Sequence, residues 1–307
     1  LVYLAALLGE LRLAPVVPAP LIWAPAVAAA VLLAWAAAAH PSADPTILAP
    51  KETTLGSPFL VYISSAEPLE EVRLFWEGKE MALEMEAVGE GCEAMALLGT
   101  DVGGSKPGVK TLDIGYSRGG ERASVSRQVR VADVEYPSEK LTLPETMITP
   151  PKELLERIGR ERHESARALS TVTPARLWAI PMVRPVGGVI TSPYGFRRIL
   201  NGQPRAPHRG VDYRAAEGTP VKAAADGTVV LSADHYFAGR CVYLDHGGGV
   251  VSVYLHLSKR LVEEGDVVSA GDVIGLSGRS GRVTGPHLHF GLCLQGMMVN
   301  PEPLLGR

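Results

Sequence analysis

The segment EGTPVKA at Glu217–Ala223 recurs as EGDVVSA at Glu264–Ala270, and each copy is followed by a Gly or Asp turn and another β-run. Two similar hairpins inside one small domain imply a pseudo-symmetric, largely antiparallel β structure. The surrounding composition agrees. From Pro185 to the end the chain is rich in Gly, Val and short β-runs and shows no convincing helical period.

At 307 residues and 46% hydrophobic the chain can bury more than one core, and a prior of roughly 150 residues per domain suggests about two domains plus extra segments. Between residues 46 and 133 the runs FLVYISS, VRLFW, KEMALEM, EAMALLG, VKTLDIGYS and ASVSRQVRVA alternate with Gly, Pro, Ser and charged turns. Short strands at this spacing predict an immunoglobulin-like β-sandwich. That stretch holds no histidine, and its carboxylates are scattered, so it reads as a spacer or binding module. Residues 134–184 form a proline-marked connector followed by KELLERIGRERHESARALS. The spacing predicts an amphipathic helix of about 18 residues after Pro151, with Leu154, Leu155, Ile158, Ala166 and Leu169 on the apolar face and His163 among the solvated charges.

The N-terminal segment, residues 1–40, is a candidate export element. No charged residue occurs from Leu13 to Ala39, Arg12 precedes the apolar run, and Ala37, Ala38 and Ala39 supply an A-x-A pattern. These are the three parts of a secretory signal. The stretch from Pro20 to Ala39 is also about the ~20 residues that span a bilayer, so it suits an uncleaved membrane anchor as well. Either reading places the rest of the chain outside the cytoplasm. A net charge of only −3 argues against a nucleic-acid partner. From Arg184 onward, 13 Lys and Arg stand against 10 Asp and Glu, a small basic excess that suits an anionic polymer or ordinary surface. Cys92, Cys241 and Cys293 form no CxxC pair and sit in apolar strand-like surroundings, which fits buried free thiols. The sequence assigns no oligomeric state.

Six of the eight histidines fall between His208 and His289, and this local enrichment needs a reason. In HRGVDY, His208 and Asp212 lie four apart across a turn entering a strand. In HLH, the period of two puts His287 and His289 on one face. Two histidines and one aspartate make an N,N,O set, and a catalytic zinc typically has three protein ligands and one open position. The set His208, Asp212 and His289 therefore reads as a metal site. An ion there lowers the pKa of a water ligand from 15.7 to roughly 7. VYLHLS adds His256 on another β-run, where alternation predicts that Tyr254 shares its face. Three ligands with two further histidines suit metal-assisted hydrolysis. His235 and His246, in DHYFAG and DHGGG, read as structural loop and turn residues, and Cys293 as a wall or core position.

The elements SPYGFRR, HRGVDYRA, EGTPVKAAADGTVV, VYLDHGGGVVSVYLHLS, EEGDVVSAGDVIGLSGRSGRVTGPHLHFGL and VNP resemble the LytM/lysostaphin-type zinc peptidases, the M23 family, whose peptidase domain has the duplicated hybrid motif fold. The likeness covers about Pro185 to Pro303. It implies an antiparallel β domain over residues 185–307 in a mainly β protein. It further implies that His208, Asp212 and His289 bind Zn2+, and that His256 and His287 are the unbound histidines that act as general base and steady the oxyanion. Their division of labour stays open. The implied activity is endopeptidase cleavage of peptidoglycan cross-links or stem peptides in the periplasm or cell envelope. Arg197 in SPYGFRR matches a motif near the family's groove and is expected to contact substrate. In some relatives a preceding region covers that groove, a role open to this connector. Other relatives lack ligands and act as non-catalytic regulators of cell-wall amidases; here all five positions are intact. A biotinyl- or lipoyl-type carrier is disfavoured because neither repeat offers a hairpin-tip lysine, and GLSGRSGRVTG lacks the phosphate-loop pattern.

Overall fold

The computed structural model describes residues 44–142 and 145–306. The candidate signal or anchor, residues 1–40, lies outside them; none of the described helices is long and apolar enough to cross a membrane.

The first nine strands are β1 (Thr46–Leu48), β2 (Glu52–Thr54), β3 (Pro58–Ser65), β4 (Glu70–Trp76), β5 (Lys79–Ala82), β6 (Glu86–Val88), β7 (Gly91–Gly99), β8 (Gly108–Arg118) and β9 (Glu121–Ala132). They form two sheets, in the orders β1-β3-β7-β6 and β2-β9-β8-β4-β5. The alternation seen in the sequence sets their inner faces. Val61 and Ile63 of β3, Val72, Leu74 and Trp76 of β4, and Leu112 and Ile114 of β8 are all buried in one cluster between the sheets. The three strands that pattern reading missed, β1, β2 and β6, have three residues each, too few to show a period of two.

The connector supplies β10 (Ser138–Leu141), a short helix α1 (Glu145–Ile148), and a 3-10 turn (Lys152–Leu154) leading into α2 (Leu155–Leu169). The predicted helix is present, but its apolar face is corrected. Leu155 is 53% exposed and Ala166 is also exposed. The buried stripe instead runs through Ile158, Glu161 and Ala168. The reason is a partner rather than a period: Glu161 accepts a hydrogen bond from the Tyr236 backbone N–H at 2.8 Å and an Arg157 N–H at 2.6 Å. A buried carboxylate paired in this way escapes most of its desolvation cost. His163 is exposed, as expected.

The C-terminal part contains β11 (Ile190–Ser192), β12 (Arg197–Leu200), β13 (Gln203–Pro204), β14 (Val211–Arg214), β15 (Pro220–Lys222), β16 (Gly227–His235), β17 (Gly239–Asp245), β18 (Val250–Leu257), β19 (Lys259–Arg260), β20 (Val267–Val268), β21 (Val273–Leu276), β22 (His287–Leu294) and β23 (Met297–Val299). An eight-stranded antiparallel sheet runs β11-β14-β22-β18-β17-β16-β20, with β23 beside β22. The sequence repeat explains its edge. β15 lies in the first copy and pairs with β21, which follows the second; β20 lies in the second copy and pairs with β16, which follows the first. Each copy thus pairs with the strand that follows the other. Gly218 and Gly265 occupy the same place in the two copies and have φ of +88° and +97°, a conformation other residues adopt only under strain.

The large sheet has two differently used faces. Tyr213, Tyr254, Leu288, Phe290 and Leu292 point into the main core. On the other face, Leu231, Cys241, Tyr243, Val253 and Cys293 pack under Ala168 and Leu169 of α2. Cys293 is therefore a wall residue beneath the helix. The two halves of the molecule also share side chains: Leu97 of the sandwich lies in the main core, and Met297 of β23 lies in the sandwich core. Gln295 Nε2 donates to the carbonyls of Leu97 (3.1 Å) and Gly248 (2.9 Å) across this junction.

Candidate metal centre

The site lies on the α2 side of the large sheet, beyond the end of the helix-covered cluster. Strands β14 and β22 place Asp212 directly opposite His289, which brings their side chains together on one face. The loop before β14 carries His208. Gly210 allows that loop to pass closely, since a Cβ there would lie 2.5 Å from the Phe290 carbonyl oxygen and 2.7 Å from His289 Nε2. His208 Nε2 sits 3.0 Å from both His289 Nδ1 and Asp212 Oδ1, and Asp212 Oδ1 sits 2.8 Å from His289 Nδ1. Three donor atoms thus converge on one point. Tetrahedral ligands 2.0–2.1 Å from a zinc ion stand roughly 3.3 Å apart, so this nearly equilateral set fits that ion after a small expansion. The donor chemistry fits as well, two imidazole nitrogens and one carboxylate oxygen.

The ring of groups behind these donors fixes their orientation. The His208 Nδ1–H faces the Pro193 carbonyl at 3.0 Å and Ser192 Oγ at 3.2 Å, leaving Nε2 for the ion. Ser192 donates its hydroxyl proton to Glu139 at 2.9 Å. Arg198 donates to Asp212 Oδ2 at 2.8 Å and lies 3.8 Å from Glu139. Burial alone would raise the Asp212 pKa, but hydrogen bonds and charge from His208 and His289 outweigh it and hold the carboxyl well below the usual range. Burial lowers His289 to about 4, with Asp212 opposing the shift. The His289 ring is consequently neutral near pH 7 and available as a ligand.

His256 and His287 complete the cluster. Their ring centroids are 4.9 Å apart, and His287 Nε2 is 3.8 Å from Asp212 Oδ1. His256 Nδ1–H donates to the Ser280 carbonyl and His287 Nδ1–H to the Gly285 carbonyl, each at 2.9 Å. With Nδ1 engaged by a carbonyl, each ring turns its Nε2 toward the site, where that atom can accept a proton. Burial first, and then the neighbouring His289 and His287, depress His256 to about 3.

The expectation that Tyr254 shares a face with His256 is corrected. β17 and β18 shift register between Arg240 and Val242, and His256 has φ +64°. This β-bulge breaks the alternation: Tyr254 turns into the core, where its hydroxyl accepts from the Ala224 N–H at 2.8 Å, while His256 turns to the site. Arg197 meets the connector. Its Nε donates to the Tyr136 carbonyl at 2.9 Å, and its guanidinium reaches Glu135 at 3.6 Å, both in the connector. On a strand only one of two consecutive arginines faces the site, and here it is Arg198. Nothing in SPYGFRR says which. Glu139 lies 69 residues before His208 in sequence and gave no signal; β10 brings it in by pairing parallel to β12. His235 and His246 are structural: the first meets Glu164 of α2 at 2.9 Å, the second lies between the Asp226 carbonyl and Ser252 Oγ, each at 2.7 Å.

Known proteins resemble the part of the chain that holds this site. The model of peptidase family M23 matches residues 206–301, which contain all three donors and both free histidines. Those residues are an M23 peptidase domain. The chain is 52% identical over 95 residues to the peptidoglycan DD-endopeptidase ShyA of Vibrio cholerae, covering 31% of this chain and 22% of that protein. It is 43% identical over 124 residues to ShyC, a peptidoglycan DD-endopeptidase of the same organism, covering 37% and 28%. The chain thus spans about a quarter of the length of the curated relatives it matches. A crystal structure from Pseudomonas aeruginosa assigned to peptidase M23 aligns with a TM-score of 0.62 and 28% identity, over 82% of this chain and 95% of that one. This likeness extends well beyond the M23 domain into the rest of the described chain.

Proposed function

We propose that the chain is a zinc-dependent endopeptidase that hydrolyses peptide bonds of peptidoglycan in the cell envelope. The observation that carries this reading is the convergence of His208, Asp212 and His289 within 3.0 Å of one another beside two histidines whose Nε2 atoms are free. His208, Asp212 and His289 would hold a zinc ion, which would supply Lewis acidity and lower the pKa of water near neutral pH. His256 and His287, aimed by the Ser280 and Gly285 carbonyls, offer their Nε2 atoms to take a proton from the attacking water and to hydrogen-bond the developing oxyanion. Arg198 orients Asp212 through its hydrogen bond to Oδ2. The names of the relatives support peptidoglycan as substrate. The regulator reading finds no support in the geometry, because no ligand and neither free histidine is displaced.

The same reading assigns residues 1–40 to export or anchoring, 46–133 to an accessory sandwich, 134–184 to a connector and 185–307 to the catalytic domain. The sheet orders β1-β3-β7-β6 and β9-β8-β4-β5 parallel the ABED and GFC arrangement of immunoglobulin-like sandwiches. The test is turnover of purified peptidoglycan by the full chain, with released fragments identified by mass. Cleavage lost with chelator, restored by zinc and absent in His287→Ala supports the proposal. Intact peptidoglycan despite bound zinc overturns it.

A further inference from the structure

The cleft that opens onto the metal centre, about 390 Å³, is lined by Arg198, Arg205, Arg209 and Arg282, and no acidic residue lines it. Two of the four already have partners. Arg198 binds Asp212, and Arg209 lies 3.7 Å from Asp101. Among the described residues neither Arg205 nor Arg282 has a carboxylate partner. Arg205 donates only to neutral groups, at Gln203 Oε1 (2.6 Å) and, through its backbone N–H, the Arg198 carbonyl.

Arg282 is held in place. Its guanidinium lies 4.4 Å above the centre of the Phe237 ring, its backbone N–H donates to the Phe237 carbonyl at 2.8 Å, and one guanidinium N–H reaches the Met147 carbonyl at 3.4 Å. A cation over an aromatic face is stabilised but keeps its in-plane N–H groups for another acceptor. Burial, followed by the like charges of Arg198 and Arg205, lowers its pKa. The repulsion is thus left uncompensated by the protein, in a half-buried wall of a cleft that also contains His256 and His289. An ordinary solvated arginine is neither pinned nor crowded in this way.

We infer that Arg282 and Arg205 form a carboxylate-binding subsite, so that the cleft prefers a peptide bearing a free carboxylate next to the bond presented to the metal centre. The inference rests on the peptidase reading for the identity of the peptide, but not for the binding itself. Guanidinium groups pair with carboxylates through parallel N–H···O bonds, and a neutral amide replaces only part of that interaction.

Equilibrium binding tests this separately from turnover. Synthetic stem peptides are titrated calorimetrically into the zinc-loaded full chain in three forms: all carboxyls free, the C-terminal carboxyl amidated, and the side-chain carboxyl amidated. Binding about tenfold to a hundredfold weaker for one amidated form is expected, and which form it is identifies the carboxylate. Arg282→Gln is expected to abolish the difference while binding that amidated peptide like wild type, and Arg282→Lys to retain part of it. Arg205→Gln provides a second variant should Arg282→Gln fail to fold. Equal binding of all three peptides overturns the subsite, as does an equal loss for acid and amide in the variants. A preference that persists in binding without any hydrolysis upholds the subsite and removes the hydrolase.

Discussion

Glu139 lies outside the M23 domain, yet it closes the ring of hydrogen bonds that orients two of the three candidate metal donors. Its carboxylate accepts from Ser192 at 2.9 Å, Ser192 Oγ lies 3.2 Å from His208 Nδ1, and Arg198 bridges Glu139 and Asp212. Replacing it by alanine releases the Ser192 hydroxyl and removes the second negative partner of Arg198. Loss of a group behind a metal ligand typically costs 10–100-fold in metal affinity, about 1.4–2.8 kcal/mol. The lower end applies here, because the Pro193 carbonyl at 3.0 Å still holds the His208 tautomer. The expectation for Glu139→Ala is a zinc Kd raised about tenfold. Competition against a chelating dye at pH 7 measures it on the full chain, and Glu139→Gln, which keeps an acceptor, should recover most of the loss. The β10–β12 pairing is made by backbone over four residues, so the unfolding midpoint of the metal-free protein should change little. Zinc affinity within twofold of wild type, with that midpoint unchanged, would refute the reasoning.

Three other outcomes follow from the same coordinates. The adjacent arginines should separate cleanly: Arg198→Ala should weaken zinc binding about tenfold or more through loss of a charge-assisted hydrogen bond to Asp212, whereas Arg197→Ala should leave it unchanged in the same titration. Burial pushes the Cys241 and Cys293 thiols up to about 12, so both should resist alkylation at pH 8 in the folded chain and react on unfolding, as read by peptide mass mapping. His246 has its pKa lowered by burial in the folded state. The unfolded chain therefore binds a proton that the folded one does not once the pH falls below roughly 6.5, and stability should drop with acidification by up to about 1.4 kcal/mol per pH unit from this group. Denaturant unfolding at pH 7, 6 and 5 should show a shallower slope for His246→Gln.

Much of the site was legible before any coordinates. The period of two in HLH put His287 and His289 on one face, and the four-residue spacing of His208 and Asp212 allowed them to meet, since both depend on local backbone geometry alone. The duplicated EGxxVxA unit carried the pseudo-symmetry for the same reason. Reading failed where a neighbour overrode the local period: the bulge at His256 turns it away from the face of Tyr254, and Glu161 replaces Leu155 on the buried side of α2 because Tyr236 and Arg157 satisfy its carboxylate.

What the amino-acid order determined by itself was the kind of chemistry: an N,N,O donor set with two spare imidazoles on an antiparallel β framework. Which of two consecutive arginines serves that set, which connector carboxylate stands behind it, and which cations are left unpaired in the cleft were decided only by tertiary structure. These choices depend on the β10–β12 pairing, on Phe237 stacking against Arg282 and on the junction of the sandwich with the eight-stranded sheet. Each joins residues tens to hundreds of positions apart, and no local pattern records such a contact.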